Sequence, residues 1–309
     1  MKTGLHHWWP RSLSGAWSDS AGLVHRLTPD GKVVSAPPKN WGAITNAHRI
    51  KLDGPWDTDF EPSFSEVDNT FQGVIETFDV HFEKEGRARR VHVAERKRRE
   101  VGAAMAALLV RSPGFKWRVE EEVSRNWPTA DKTLIAANIH NSMGHIQESL
   151  EGASLLIAFR CLEGELVMGD GYLSNLRGGD VDLPFLRLLV PLTPTLAVAA
   201  CNRPGLPRDL KGVWHIPIGH AGVSEINDVT QTYSGNFLFF KSVRPKVTPE
   251  FKSGVFGQLP DHRFERLESA VEKIHGSGKC VGKPWRPKAR PGKVLTSGIV
   301  VGTFTHDGP

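Results

Sequence analysis

The apolar residues of this chain change period part-way along it, and that change limits the folds open to it. Between Ser63 and Phe78 the residues Phe64, Val67, Phe71, Val74, Ile75 and Phe78 recur every three or four positions, the spacing of one helix face. Ser63-x-x-Glu66 has the form of a capping box, so a helix is predicted to open there. A second helix is predicted from about Glu95 to Val110, stopping before Ser112-Pro113-Gly114, with basic first turns and an apolar later half. A third runs from Thr133 to Glu151, with Ile135, Ile139, Met143, Ile146 and Leu150 on one side. From there the apolar segments are short and bounded by turn residues. Ser154–Leu162, Glu165–Gly169, Phe185–Val190 and Thr195–Ala200 are predicted strands, followed by a helix near Val223–Tyr233 and a strand at Asn236–Lys241.

Ahead of the helices, Leu23–Leu27 and Lys32–Ser35 flank Thr28-Pro29-Asp30-Gly31, the turn chemistry of a β-hairpin. The expected fold is α+β, with helices in the first half and mainly antiparallel sheet in the second. Residues 1–245 form the expected main domain. Residues 246–309 are set apart as a basic extension, with an amphipathic stretch at His262–Ile274, an acid-free Gly/Pro/Lys/Arg segment at Lys279–Lys293 and a last strand at Val294–Phe304.

Charge is unevenly placed. The net balance is +5, but residues 85–100 hold seven Arg/Lys against three Glu, and residues 276–309 hold six against one Asp. Two basic clusters on a mildly acidic body mark either an anionic partner, nucleic acid first, or a solvated helix face with a solubilising tail. No apolar run approaches the ~18 residues of a membrane span, and the His/Trp-rich opening is unlike a signal peptide. The expected location is therefore the cytoplasm, with no membrane partner. Cys161, Cys201 and Cys280 lie far apart without a Cys-x-x-Cys pair, which argues against a disulfide framework or a thiolate zinc site. Walker, Gly-x-Gly-x-x-Gly, His-Glu-x-x-His and Gly-x-Ser-x-Gly motifs are absent.

Several short motifs, taken in order, carry a family resemblance. His6-His7-Trp8-Trp9-Pro10 with Leu13 and Trp17, Leu109-Val110-Arg111-Ser112-Pro113 with Phe115, Val167-Met168-Gly169-Asp170, Val190-Pro191-Leu192-Thr193-Pro194 and Glu225-Ile226-Asn227 occupy about residues 5–242. The set resembles the uncharacterised bacterial family called domain of unknown function 4238, with its His-His-aromatic-x-Pro opening. Gly169 and Gly171-Tyr172 depart from that family's Ser-Asp-x-Pro turn. The resemblance implies no activity.

The residues with chemical capacity are His6, His7 and Asp170. Imidazole and carboxylate together can hold a divalent metal ion or act as an acid–base pair. Adjacent histidines on a regular strand point to opposite faces, so one would serve the site and the other the structure. Against this stand two structural alternatives, Asp-Gly turn chemistry for Asp170 and hydrogen bonding in an aromatic core for the histidines. Asn141, His145 and Glu148 align on one side of the third helix as a weaker set. One function that follows is a metal-dependent phosphodiesterase or nuclease, using His6, His7 and Asp170 as ligands and catalytic groups and a divalent metal as cofactor. The alternative is a non-catalytic protein that binds nucleic acid through Arg96, Lys97, Arg98 and Arg99 and through Lys283, Arg286, Lys288 and Arg290.

Overall fold

The computed structural model describes residues 5–45, 49–51, 57–59, 61–79, 88–126, 132–151, 155–174, 186–201 and 212–254. In chain order these form β1 (Leu5–His7), α1 (Arg11–Ser14), a 3-10 turn (Gly15–Trp17), β2 (Val24–Leu27), β3 (Val33–Ala36) and a second 3-10 turn (Pro38–Asn40). Next come β4 (Ala43–Thr45), β5 (Arg49–Lys51), β6 (Asp57–Asp59), α2 (Glu61–Asp68), α3 (Phe71–Asp79) and β7 (Arg89–Val91). Three helices follow: α4 (Glu95–Arg111), α5 (Pro113–Asn126) and α6 (Lys132–Glu151). The remainder is β8 (Leu155–Cys161), β9 (Met168–Gly169), β10 (Leu173–Ser174), β11 (Leu186–Thr193), β12 (Leu196–Cys201), β13 (Gly212–Ile218), α7 (His220–Thr232), β14 (Leu238–Phe240) and α8 (Pro249–Ser253).

The expected division, helices first and antiparallel sheet after, is overturned. Strands β1 to β4 precede α2, and helices and sheets are interspersed in both halves. A six-stranded sheet runs β10-β11-β12-β8-β13-β7, and a four-stranded sheet runs β3-β2-β14-β9. Each combines early and late strands, because β7 pairs with β13 and β2 pairs with β14. The larger sheet is mixed: β13 lies parallel to β8 from Gly212↔Leu155 to Ile218↔Cys161, while its other neighbour β7 is antiparallel. Such pairings satisfy edge N–H and C=O groups across long chain separations, which local periodicity does not encode.

Several local expectations hold. The β2–β3 hairpin forms with His25 opposite Ser35, and Gly31 takes φ 85° in its turn. The Phe64–Phe78 pattern becomes two helices instead of one, interrupted after Asp68; it starts at Glu61, so Ser63 lies inside the helix. Thr70 closes the interruption, donating from both N and Oγ1 to the Val67 carbonyl. Helix α4 is buried without a break from Ala104 to Arg111 and packs against α2, α3, α5 and α6. An apolar circumference of that kind belongs to a central helix. Residues 246–254 pack on the body: Phe251 of α8 is buried with Leu27, Val167, Leu238 and Phe240. The predicted elements at 262–274 and 294–304 lie outside the described residues.

The aromatic opening segment lies on β14. Phe239 packs with Trp9 at 4.7 Å between centroids, with Trp8 and Trp41 at 6.0 Å, and with Phe237 at 6.5 Å. Trp17 Nε1 donates to Leu192 O on β11, tying this aromatic group to the larger sheet. Truncating Phe239 to Ala removes the ring on which three tryptophans converge. We expect a loss of ~3–5 kcal/mol, the usual cost of a buried Phe truncation, read as a lower denaturant midpoint with circular dichroism. A loss under ~1 kcal/mol, the range of a surface change, would mean that the tryptophans hold one another without it.

Candidate functional site

Chain geometry explains why Asp170 lies where it does. Strand β9 ends the four-stranded sheet and β10 begins the edge of the six-stranded one, so Asp170-Gly171-Tyr172 is the crossover between sheets. The Asp170 side chain is fully buried. Its Oδ1 accepts from Gly235 N at 2.8 Å, and its Oδ2 accepts from Asn236 N at 2.9 Å and Phe237 N at 3.1 Å. Its main chain is equally committed, with O accepting from Gly114 N at 2.8 Å and N donating to Phe237 O at 3.2 Å. Burial pushes the carboxyl up to about 7, against the three main-chain donors, which favour the ionised form. The flanking glycines admit this turn closely. A Cβ at Gly171 would come 2.0 Å from Tyr233 O, and one at Gly169 would come 1.9 Å from Ser234 Oγ. The close approach that these glycines permit is made by the protein's own Ser234 hydroxyl and Tyr233 carbonyl.

The Leu109–Phe115 motif is a helix stop followed directly by a helix start. Pro113 occupies the first position of α5, where its missing N–H costs nothing, and Ser112 Oγ accepts from Phe115 N. Arg111, the last residue of α4, has a wholly buried side chain. Its guanidinium donates to Asp68 Oδ2 at 3.1 Å and Oδ1 at 2.6 Å, to His7 O at 3.4 Å and to Ala107 O at 3.1 Å. It also lies over the Phe64 ring at 4.7 Å. Arg111 thus joins α4, the interruption between α2 and α3, and the histidine segment. Burial pushes the hydroxyl of Tyr172, also buried, well above the usual phenol range, with a smaller downward effect from Arg111 and an upward one from Asp170.

His6 is buried in β1 opposite Ile44, and His7 is half-buried, as strand alternation requires. Among the described residues no three His, Cys, Asp or Glu side chains are grouped so that they could hold a metal ion, so His6, His7 and Asp170 do not form such a group. Of the weaker set, His145 and Glu148 are exposed on α6 with Nδ1 and Oε2 3.9 Å apart; Asn141 lies on the same helix. Burial pushes the Cys161 thiol up to about 12, which leaves it protonated at neutral pH.

The basic run Arg96–Arg99 opens α4, where Ala94 offers no side-chain cap. Arg96 pairs with Glu100 at 3.0 Å, Lys97 with Glu100 at 2.7 Å and Arg99 with Glu95 at 3.9 Å. Three of these four cations therefore pair with two carboxylates at the positive end of a helix dipole. Lys283, Arg286, Lys288 and Arg290 lie outside the described residues.

One hydrogen-bonded chain was not foreseen. His25 Nδ1 lies 2.6 Å from Ser35 Oγ and His25 Nε2 lies 3.0 Å from Asp19 Oδ2, a serine–histidine–aspartate order. Asp19 Oδ1 also accepts from Ala21 N and Leu23 N, and these bonds lower its carboxyl below the usual range. Ser35 stands exposed on an edge strand and is the cross-strand partner of His25. The arrangement fastens the hairpin to the 19–23 loop.

Comparison with protein-family models, with curated proteins and with solved structures finds no match for this chain. No helix among the described residues is long and apolar enough to cross a membrane.

Two outcomes test this geometry. A carboxyl whose folded pKa lies above its free value of 3.8 binds its proton more tightly in the folded state. Stability from Asp170 therefore falls as pH rises from about 4 to about 7 and is flat above. Unfolding curves of the wild type and Asp170→Asn across that window should show the wild type losing stability relative to the variant as pH rises; parallel curves would contradict the assignment. Separately, Asp68→Ala strands a buried guanidinium and should cost ~3–5 kcal/mol, with part recovered in Asp68→Ala/Arg111→Met.

Proposed function

We propose that this protein binds nucleic acid through its phosphate backbone and does not cut it. The observation that carries this reading is the exposed basic turn at the start of α4, where Arg96 has a side-chain exposure of 89% and Arg99 of 60%. Intrahelical ion pairs at such exposure are worth ~0.3–0.5 kcal/mol, so they yield readily to phosphate. A phosphate also satisfies the uncapped N–H groups and relieves the conflict between four cations and the helix dipole. Arg90, exposed on the edge strand β7, lies a few residues ahead of this turn in the chain. The acid-free segment with Lys283, Arg286, Lys288 and Arg290 supplies a second cluster of the same sign.

The nuclease alternative asks Asp170 to share a metal ion with His6 or His7. The Asp170 oxygens already accept three main-chain hydrogen bonds in a closed turn, which argues for the binding reading. We propose that the chain is related to the domain of unknown function 4238 on its ordered motifs, and we infer a cytoplasmic location from its three widely spaced cysteines, none of them in a Cys-x-x-Cys pair.

The test is salt dependence. The slope of log K against log salt on duplex DNA should fall by ~0.9 for each phosphate contact removed. Arg96→Gln/Arg99→Gln should therefore flatten the slope by one to two contacts while leaving the melting temperature within about a degree. Removal of residues 276–309 should flatten it further. Binding with an unchanged slope in both variants, or no binding by the wild type at low salt, would sink the proposal.

A further inference from the structure

The two faces of the β2–β3 hairpin carry different chemistry. Strand alternation puts His25 and Leu27 on the face covered by Phe240 and α8, and Arg26 on the face shared with Phe239 and Trp41. On that second face Arg26, Thr28, Asp30 and Lys32 meet Asn236 and Phe237 around a cleft of about 440 Å³. We propose that this cleft is a binding site for a small phosphate monoester, distinct from the α4 surface.

Arg26 is the first ground for this. Its guanidinium carbon lies 4.6 Å from the Trp41 ring centroid and 4.6 Å from that of Phe237. Aromatic contact holds the planar cation in one orientation and leaves its N–H edge for a partner. Among the described residues Arg26 makes no side-chain hydrogen bond or ion pair, and its Nε is buried without an acceptor. Arg111, also set over an aromatic ring, shows the usual alternative, with its nitrogens bonded to a carboxylate and two carbonyls.

Charge is the second ground. Lys32 is exposed at the cleft and its ammonium makes no ion pair among the described residues. Arg244 Nη2 donates to Gly31 O at 2.8 Å and brings a third cation to the hairpin turn. The one carboxylate among the lining residues, Asp30, accepts from Thr28 Oγ1 and from Lys32 N at 3.3 Å, bonds that hold it ionised and engaged within its own turn. Two lining cations, with Arg244 beside them at the turn, face one carboxylate that is already engaged, a balance that suits an anion, and the guanidinium edge matches two phosphate oxygens. Asn236 adds an exposed amide, placed by the bond from its N to Asp170 Oδ2. Phe237 gives the ester's organic group an apolar wall, and the volume falls in the ~300–1,000 Å³ range of small-molecule sites.

Phenyl phosphate, benzoate and phenol are the probes, titrated into the full chain by calorimetry at low salt, with amide chemical shifts followed by NMR. Phenyl phosphate should saturate, with shifts centred on residues 26–34 and 235–237. Benzoate should bind at least tenfold more weakly, and phenol should not bind. Arg26→Gln and Lys32→Gln should each weaken phenyl phosphate about tenfold or more. Because Arg26 supports two rings, Lys32→Gln and Asn236→Ala, both at exposed positions, serve as the variants whose melting temperature should not move. Arg96→Gln/Arg99→Gln should bind phenyl phosphate like the wild type, which separates this site from the nucleic-acid surface. The proposal is overturned if the wild type shows no saturable binding, if benzoate binds as tightly as phenyl phosphate, or if Lys32→Gln retains full affinity.

Discussion

The Asp170 carboxylate draws three consecutive main-chain N–H groups, Gly235 to Phe237, onto two oxygens, and much of the architecture depends on that contact. It fixes the turn between α7 and β14, and so the register in which Leu238 meets Gly169 on one side and Leu27 on the other. Through its own carbonyl it also holds Gly114 at the start of α5. A buried carboxylate is tolerable only when hydrogen bonds replace its lost water. Here those bonds come from backbone that must be ordered for the two sheets to meet.

Arg111 performs the corresponding task for the helices. Its position at the end of α4 lets one guanidinium reach the α2–α3 interruption and the His7 carbonyl at once. The bidentate pair with Asp68 has good geometry, and further bonds to Ala107 O and His7 O engage Nε and the second N–H of Nη1. The His-His-Trp-Trp-Pro segment is therefore held from two directions, by Arg111 on the His7 carbonyl and by Phe239 under its tryptophans. Asp170, which looks catalytic by type, commits its side chain to main-chain donors 65 to 67 residues further along the chain.

Sequence patterns gave the parts better than the plan. The β2–β3 hairpin was legible because Thr-Pro-Asp-Gly sets its turn locally, α6 because its apolar positions recur over four turns or more, and α4 because its apolar later half runs into a Ser-Pro-Gly stop. The split between α2 and α3 was not, since the three-and-four spacing of Phe64 to Phe78 continues straight through it. Helix α5 is hidden by Pro113, because a proline reads equally as the end of one helix and as the first position of the next. Strand β13, with His215 and Pro217 among its apolar residues, gave no clean pattern, and its pairing with both β7 and β8 is non-local. At the site, type and order singled out His6, His7 and Asp170, but only the folded chain brings main-chain donors from residues 235–237 to the Asp170 oxygens. Arg26 carried no signal at all, because an arginine in a hairpin strand ordinarily points into solvent.

The contrast between Arg111 and Arg26 separates what this fold has completed from what it leaves open. Both guanidiniums rest on aromatic rings at similar distances, 4.7 Å in one case and 4.6 Å in the other. Around Arg111 the chain supplies a carboxylate and carbonyls, and the result is a closed structural joint. Around Arg26 it supplies Lys32 and an Asp30 already bonded to Thr28, so positive charge accumulates beside a cavity. Ordering a long cationic side chain costs conformational entropy, and here the ring contacts offset part of that cost before any anion arrives. The loop that completes the cleft is the one held by Asp170, so the buried carboxylate at the sheet crossover also positions Asn236 and Phe237 at the cleft. Structure and recognition thus share one turn, and a change at Asp170 reaches both.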